Sequence, residues 1–273
     1  MLKLMYITNN PQIAEIAADA GVDRIFIDME VLGKQQRQGN IDSVKSAHTP
    51  EDIYRVREAI GNSAQILARV NPLNPNSEQE IDASVENGAD LIMLPMWRSA
   101  QDISRFLQMV GRRAKTMPLL ETKEADCSLP EVLKLQGIDE LLIGLNDLHL
   151  SYGRKFMFEL LADGTVARLC AQMKAAGIPY GFGGVGRPGT GLLPAQYILA
   201  EHYRLGSGCV ILSRSFCNTT LLRDEQLIRE TFVEGIRDIR KCEAELAAWS
   251  ERDFEENRLR VCDCVQRVIE AVG

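Results

Sequence analysis

The residues best suited to joint chemistry are acidic side chains and an arginine that end apolar runs of the chain. Asp28 and Glu30 end the run RIFIDME. Arg69 ends ILAR, Glu121 follows PLL, and Asp147 ends LLIGLND. Carboxylates that converge on one partly buried space raise one another's pKa and cost stability unless a cation lies between them. These residue types therefore indicate a divalent-cation site beside an anion-binding arginine.

Glu121 and Asp147 are the best pair of ligands for such a cation, because they follow neighbouring apolar runs. Two carboxylates suit Mg²⁺ or Mn²⁺, hard ions that keep positions open for water and substrate oxygens, with Co²⁺ as a further option. The alternative is that each carboxylate only pairs with a lysine or an arginine. The planar guanidinium of Arg69 can bind a substrate carboxylate through two parallel hydrogen bonds. The alternative role for Arg69 is a structural ion pair with Asp28 or Glu30.

Continuous apolar runs alternate with amphipathic stretches along the chain. The runs are LKLMYIT, RIFIDME, AQILARVN, DLIMLPM, TMPLLET, ELLIGLND, PYGFGGV and CVILSRSF. Such runs are typical of parallel strands that are buried on both faces. Two of the intervening stretches are bounded by helix-capping residues, Thr49-Pro50 to Gly61 and Ser99 to Gly111. The eight pairs predict an α/β fold, a (β/α)₈ TIM barrel, with a doubly wound open sheet as the alternative. In a barrel, all strand ends face one mouth, which brings the polar residues together.

No stretch rich in Pro, Gly or Ser divides the 273 residues, so we expect a single barrel domain over residues 1–273. The segment of residues 221–273 is longer than the single helix that would complete the last strand and helix pair of a barrel. They predict two C-terminal helices with a break around Ser250 to Asp253.

Composition excludes several classes of partner. The formal charge of -7 argues against nucleic acid, whose binding needs a basic surface. The sequence has no apolar window of about 18 residues and no signal peptide, so we expect no membrane partner and a cytoplasmic location. The seven cysteines lack zinc-ligand spacing and are expected to be free thiols.

Five motifs, in this order, carry a family resemblance. They are GVDRIFIDME, ARVNP, NGADLIMLPM, LLETKEA and GIDELLIGLNDLHLSYG. The set resembles the HpcH/HpaI aldolase and citrate lyase beta-subunit family of metal-dependent (β/α)₈ barrels, over roughly Ala17 to Phe216. The resemblance implies a class II pyruvate aldolase, a carbon-carbon lyase that uses the enolate of pyruvate or a related 2-oxo acid. Its partner would be an aldehyde, for which an anionic or a sugar-derived one is an option.

The resemblance also implies roles for individual residues. Glu121 and Asp147 would hold the divalent metal, and Arg69 would stabilise the enolate oxygen. Backbone amides from Gly144 to Asn146 would receive the substrate carboxylate, with Gly144 leaving room for a close backbone approach. Members of the family tend to exchange the last helical region and form dimer-based homo-oligomers, up to hexamers. The alternative is that these helices pack on their own barrel.

This chain departs from the family at one catalytic position. Family aldolases continue the second strand with a histidine used in proton transfer, and here that position is Val31. A long polar loop from Leu32 to Thr49 follows and contains His48 near its end. His149 is the histidine we predict to act in its place, with His48 as the alternative.

Other polar residues have less specific roles. Asp28 and Glu30 would assist proton transfer, since alternation places them on one face of the strand. His202, on a predicted helix, is expected to be structural.

The glycine-rich segment GFGGVGRPGTGLLPAQ follows the seventh predicted strand, where barrels often bind phosphate. Arg187 in this segment is predicted to bind a phosphate or second carboxylate of the substrate, and Arg214 could serve the same anion. The alternative is an ordinary set of turns. Two other functions stay open. One is a citrate-synthase-like or CoA-ester lyase condensation, and the other is a non-catalytic ligand-binding barrel.

Overall fold

Nine parallel strands alternate with helices in the computed structural model, which describes residues 1–33, 48–219 and 221–272. The strands are β1 (Lys3–Ile7), β2 (Arg24–Asp28), β3 (Gln65–Arg69), β4 (Leu91–Met93), β5 (Lys115–Thr116), β6 (Leu119–Leu120), β7 (Leu141–Ile143), β8 (Tyr180–Val185) and β9 (Cys209–Leu212). Most of the predicted loop between Leu32 and Thr49 lies outside the described residues.

Eleven helices are described. They are α1 (Pro11–Asp19), α2 (Pro50–Ile60), α3 (Ser77–Glu86), α4 (Ala100–Val110), α5 (Lys123–Val132), α6 (Leu145–Ser151), α7 (Glu159–Ala162), α8 (Thr165–Ala175), α9 (Ala195–Leu205), α10 (Glu225–Leu246) and α11 (Glu251–Val272). None of these helices is long and apolar enough to cross a membrane.

The short strands β5 and β6 are two parts of one strand position, interrupted at Pro118. On one side, the N–H of Met117 donates to the carbonyl of Ile92 in β4, and β4 in turn pairs with β3. On the other side, the N–H of Leu142 in β7 donates to the carbonyl of Pro118. The sheet order β5-β4-β3-β2-β1-β9-β8-β7-β6 therefore closes on itself through this segment. The predicted barrel with eight strand positions is confirmed.

Side chains alternate between the inside of the barrel and the helical layer. The buried interior set is Met5, Phe26, Leu67, Leu91, Met93, Met117, Leu119, Leu142 and Cys209. Asp28 lies two residues after Phe26, Arg69 two after Leu67, and Glu121 two after Leu119. All three therefore continue the inward-facing rows at the carboxyl ends of their strands. The alternation that fills the barrel with apolar side chains thus brings these charged side chains to its mouth.

The predicted helix ends are also found. Ser99 begins α4 with a reciprocal capping box with Asp102, and the helix ends at Gly111 in the left-handed conformation. The C-terminal tail forms α10 and α11, with a break between residues 246 and 251, close to the predicted one. Helix α11 packs against α9 and α7 of the same chain. Exchange of this region between protomers, and the homo-oligomer that goes with it, stay predictions.

Candidate active site

Arg69, whose side chain is 14% exposed, brings a guanidinium to the mouth of the barrel. Its Nε and Nη2 donate to Asp28 Oδ1 and Oδ2 at 2.9 and 2.8 Å, and Nε lies 3.4 Å from Glu30 Oε2. Burial lowers the pKa of Arg69, but the charges of Asp28 and Glu30 outweigh it and raise the pKa above its ordinary value. The ion pair considered from the sequence is therefore present. Among the described residues, Arg69 Nη1 has no hydrogen-bond acceptor, so one face of the fork can bind another anion.

Glu121 and Asp147 form a pair of buried carboxylates beside this guanidinium. They are 2% and 9% exposed. Burial, and then the charge of Asp147, raise the pKa of Glu121 to about 8, while Arg69 acts in the opposite direction. The pair is thus stabilised by taking up positive charge, either a proton or a metal ion. The described residues hold no cluster of three or more His, Cys, Asp or Glu suited to a metal. Two carboxylate ligands fit a hard divalent ion that keeps positions open for substrate.

Met96 holds Glu121 in place through its backbone, a contact that sequence reasoning missed. The Met96 N–H donates to Glu121 Oε1 at 2.9 Å, and Met96 has a positive φ of 54°. A left-handed conformation is uncommon for a residue that is neither Gly nor Asn, and it persists where the surroundings impose it. No side-chain signal marked this residue, because its contact with the site is made by a main-chain amide.

Gly144 is the point where β7 meets Glu121. A β-carbon on Gly144 would lie 3.0 Å from both the Cβ and the Oε2 of Glu121. Gly144 was predicted to leave room for the substrate to approach the backbone. In the structure, the Glu121 side chain fills that space. The Gly144 N–H, one of the amides predicted to receive the substrate carboxylate, instead donates to the carbonyl of Leu120 at 2.8 Å. Helix α6 begins at the next residue, so the amides of residues 145–147 belong to its first turn and lack acceptors within the helix. Asn146 is exposed there.

The two candidate histidines are held differently. His48 Nδ1 accepts the Asp28 N–H at 2.9 Å, so the neutral ring carries its proton on Nε2 and can act as a hydrogen-bond donor. His149 is buried, and its Nδ1 lies 3.0 Å from the carbonyl of Leu145 in the same helix. It stands two residues after Asp147, and side chains at this helical spacing point in nearly opposite directions. The structure thus places His48, and not His149, at the mouth.

The remaining predicted residues lie outside this cluster. Arg187 Nη2 lies 3.6 Å from Glu234 Oε2 of α10. His202 is buried and stacked on Phe182, and burial lowers its pKa to about 3, which agrees with the expected structural role.

Asn71 fixes the chain where the family histidine would stand. Its Oδ1 accepts the N–H groups of Val31 and Leu32 at 2.9 and 3.0 Å, while its own N and Nδ2 donate to Glu80. Val31 itself is 54% exposed. The sequence placed Asn71 at a strand end but gave it no role. Its function is to anchor the start of the loop that follows β2.

We expect the metal-free protein to lose stability as the pH rises from about 4.5 to about 8. Between these values the folded protein keeps a proton on Glu121 that the unfolded chain has released. This contribution is complete below about pH 4.5 and is lost as the pH passes through about 8. Urea unfolding in EDTA at pH 5 and pH 8 measures it. The Glu121→Gln variant should lose most of the difference, and the exposed control Glu124→Gln should keep it. An equal pH dependence in wild type and Glu121→Gln would contradict the expectation.

Comparisons with known proteins identify a family and a shared fold. The sequence profile of the HpcH/HpaI aldolase/citrate lyase family matches residues 3–180. Among curated proteins, none matches the chain. Solved structures of the same fold include an HpcH/HpaI aldolase from Desulfitobacterium hafniense DCB-2, with 16% identity, a TM-score of 0.64, and coverage of 84% of this chain and 93% of that one.

Two further structures share the fold. An HpcH/HpaI aldolase/citrate lyase family protein from Burkholderia cenocepacia J2315 has 17% identity and a TM-score of 0.62, with coverage of 84% and 94% of the two chains. The citrate synthase SbnG has 14% identity and a TM-score of 0.62, with coverage of 80% and 89%. At these identities the likeness concerns the fold alone.

Proposed function

The chain belongs to the HpcH/HpaI aldolase/citrate lyase family, and from this premise we propose that it is a metal-dependent aldolase acting on pyruvate or a related 2-oxo acid. It joins the enolate of this acid to an aldehyde, or releases it from the aldol product. The observation that carries the proposal is the buried pair Glu121 and Asp147, with a raised pKa at Glu121, beside the guanidinium of Arg69.

Glu121 and Asp147 are the residues that would hold a divalent ion, with Mg²⁺ or Mn²⁺ as the best fit to two carboxylates. When bound, the ion supplies positive charge where the enolate oxygen develops. Met96 and Gly144 keep Glu121 in position for this role, the first by donating a hydrogen bond and the second by leaving space.

Arg69 supplies the second positive group at the mouth. Asp28 holds its Nε and Nη2, which fixes the plane of the guanidinium and directs Nη1 as a preorganised donor. A donor that is already oriented stabilises developing negative charge without further reorganisation. The first-turn amides of α6 would receive the carboxylate of the 2-oxo acid.

The reaction transfers one proton at each step. A C–H bond of the pyruvate methyl group breaks, and its electron pair forms the enolate. The enolate carbon then attacks the aldehyde carbon, and the carbonyl electron pair becomes an alkoxide that takes up a proton from the same group that deprotonated the methyl carbon. Both oxygens of Asp28 are engaged by Arg69, so we assign proton transfer to Glu30. His48 Nε2–H is assigned as a hydrogen-bond donor to the aldehyde oxygen, and it keeps its proton throughout.

Product analysis tests this function. The protein is incubated with Mg²⁺, pyruvate and a panel of aldehydes, and 4-hydroxy-2-oxo acids are sought by mass spectrometry. Metal-dependent formation of such an acid supports the proposal. Citrate formed from acetyl-CoA and oxaloacetate, without any aldol product, would establish the condensation alternative instead. Ligand binding without turnover of either kind would establish the non-catalytic alternative.

Gly144→Ala should weaken metal binding, because the new methyl group would push Glu121 out of position. We expect the dissociation constant for Mn²⁺ to rise about 10- to 100-fold, as when the supports of a metal ligand are lost. Electron paramagnetic resonance titration of free Mn²⁺ measures this. Gly208→Ala is the matched control, since a β-carbon there meets its nearest atom at an ordinary 3.6 Å. Equal affinities in the two variants would refute the role of Gly144.

A further inference from the structure

We propose that Asp126 is a positioning residue for the metal site, because it holds the short helix that carries Asp147 against the segment that carries Glu121. This inference rests on the function proposed above, in which these two carboxylates bind the metal ion. Asp126 is not a ligand in that assignment. It acts through Tyr152, the residue that follows α6.

The two proposed ligands belong to separate segments of the chain. Glu121 directly precedes Thr122, the N-cap of α5, and Asp147 lies in the first turn of α6. The segments meet where the Gly144 N–H donates to the carbonyl of Leu120 at 2.8 Å. Helix α6 has only seven residues, and a helix this short is not stable without tertiary contacts. The position of Asp147 therefore depends on what holds the rest of α6.

Two hydrogen bonds tie the end of α6 to the start of α5. The Lys123 N–H donates to Ser151 Oγ at 2.8 Å. The Tyr152 O–H donates to Asp126 Oδ2 at 2.5 Å. Lys123 lies two residues after Glu121. Helix α6 is therefore held at both ends, at its start by strand β7 and at its end by the segment that follows Glu121.

The contacts of Asp126 suit it to this role. Its side chain is buried, and Arg168 of α8 donates from Nη1 and Nη2 to Oδ1 and Oδ2 at 2.8 and 2.5 Å. A guanidinium that binds both oxygens fixes the plane of the carboxylate as well as its position. Burial raises the pKa of Tyr152 to about 12, so its O–H stays protonated at neutral pH and donates to the carboxylate.

A fixed helix favours metal binding because the two ligands carry like charges. Such charges repel each other in a buried space, and a helix that could move would carry Asp147 away from Glu121. Ligands that are already in place lose little freedom when the ion binds, which improves affinity. Loss of the link through Asp126 should therefore weaken metal binding by the folded protein.

Tyr152→Phe tests the link by removing a single hydroxyl group. The dissociation constant for Mn²⁺ is measured on metal-stripped protein by electron paramagnetic resonance titration. We expect it to rise about tenfold, as when a support of a metal ligand is lost. Asp126→Asn should raise it by about 10- to 100-fold, since it also breaks the ion pair with Arg168. The double variant should bind Mn²⁺ about as Asp126→Asn does, because both changes break one link.

Tyr203→Phe is the matched control. The Tyr203 O–H donates to the buried carboxylate of Glu243 at 3.1 Å, and burial raises the pKa of Tyr203 to about 12, as for Tyr152. This bond joins α9 to α10 and involves neither segment of the metal site. In urea unfolding without metal, the two phenylalanine variants should lose similar stability. Only Tyr152→Phe should change the affinity for Mn²⁺, a difference that a merely structural hydrogen bond would not produce.

Amide hydrogen exchange in EDTA measures how firmly α6 is held. Peptides that cover residues 145–151 should exchange about tenfold faster in Tyr152→Phe than in wild type, because local opening becomes easier. In Tyr203→Phe these amides should exchange at the wild-type rate. Unchanged exchange in Tyr152→Phe would reject the proposed link.

Failure of the positioning role differs from failure of the proposed function. Equal affinity for Mn²⁺ in Tyr152→Phe and Tyr203→Phe rejects the role of Asp126 and leaves the proposed function standing. Weaker binding in Tyr152→Phe, with no aldol product from wild type, supports the role and rejects the function. Absence of Mn²⁺ binding by wild type rejects both.

Discussion

Glu121→Gln is expected to abolish the metal-dependent exchange of pyruvate methyl protons, with a loss of about a thousandfold or more. A metal ion contributes several kcal/mol of charge stabilisation to an enolate-like transition state, and each 1.36 kcal/mol is a factor of ten in rate. The variant keeps the shape of the side chain and removes the charge that would hold the ion. Asp147→Asn should have a comparable effect, and the double variant should lose little more, because the two ligands act as one unit. Exchange rates are followed by ¹H NMR in D₂O.

The control for this prediction separates loss of chemistry from loss of fold. Glu121 has a raised pKa in the folded protein, so its neutral replacement should leave the metal-free protein at least as stable above pH 8. Urea unfolding of Glu121→Gln checks this point. Glu124→Gln, three residues further along and exposed, should retain full exchange. Full metal-dependent exchange in Glu121→Gln would remove the metal assignment.

Arg69→Gln should lower both stability and activity. Asp28 and Glu30 are 2% and 1% exposed, and they would lose the cation that balances their charge. Removing one partner of a buried ion pair costs about 3–5 kcal/mol of unfolding free energy. Loss of a preorganised donor should also slow exchange by about 100- to 1,000-fold. Arg69→Lys should recover part of the stability but little of the rate, because lysine keeps the charge without the fork.

Urea unfolding and methyl exchange on these variants measure the two effects. Adding Asp28→Asn to Arg69→Gln should restore part of the lost stability, since it removes one uncompensated carboxylate. The exposed pair of Arg113 with Asp82 offers the comparison, and Arg113→Gln should cost less than about 1 kcal/mol. Unchanged stability in Arg69→Gln would show that Asp28 and Glu30 are balanced by another group.

Several features followed from the sequence because they depend on patterns within single segments. Continuous apolar runs predicted the positions of the strands, and the capping residues predicted where α2 and α4 begin and end. The rule that the strand ends of a barrel face one mouth then placed Asp28, Arg69 and Glu121 together. These rules are local, so they hold without knowledge of which segments meet.

The arrangement of the site could not be obtained in this way. Whether Arg69 would pair with Asp28 was left open, because the choice depends on the register of β2 against β3. The support of Glu121 by Met96 is a main-chain contact between residues 25 positions apart. The contact of His48 with the Asp28 amide likewise joins residues 20 positions apart, which no rule within a single segment predicts. The family resemblance predicted Glu121 and Asp147 as metal ligands, and this stays a prediction. His149, the predicted catalytic histidine, lies two residues after Asp147 on α6, a spacing at which side chains point in nearly opposite directions.

The same reasoning applies to the interrupted strand. The run TMPLLET was predicted as one strand, and it forms β5 and β6 with Pro118 between them. Proline lacks an N–H, so the ladder loses one donor at that point. The strand still joins β4 to β7 and brings Glu121 to the mouth. The predicted place of this strand in the barrel is therefore confirmed, although the strand is divided into β5 and β6.

The exchange of pyruvate methyl protons for deuterium is the most direct test of the proposed enolate site, because it requires that site and no knowledge of the aldehyde. Metal-stripped protein is incubated with pyruvate in D₂O, and the methyl signal is followed before and after addition of Mg²⁺. We expect exchange that begins with the metal, is reversed by EDTA and is lost in Glu121→Gln. Confirmed metal binding without any exchange above the rate of free Mg²⁺ would contradict it.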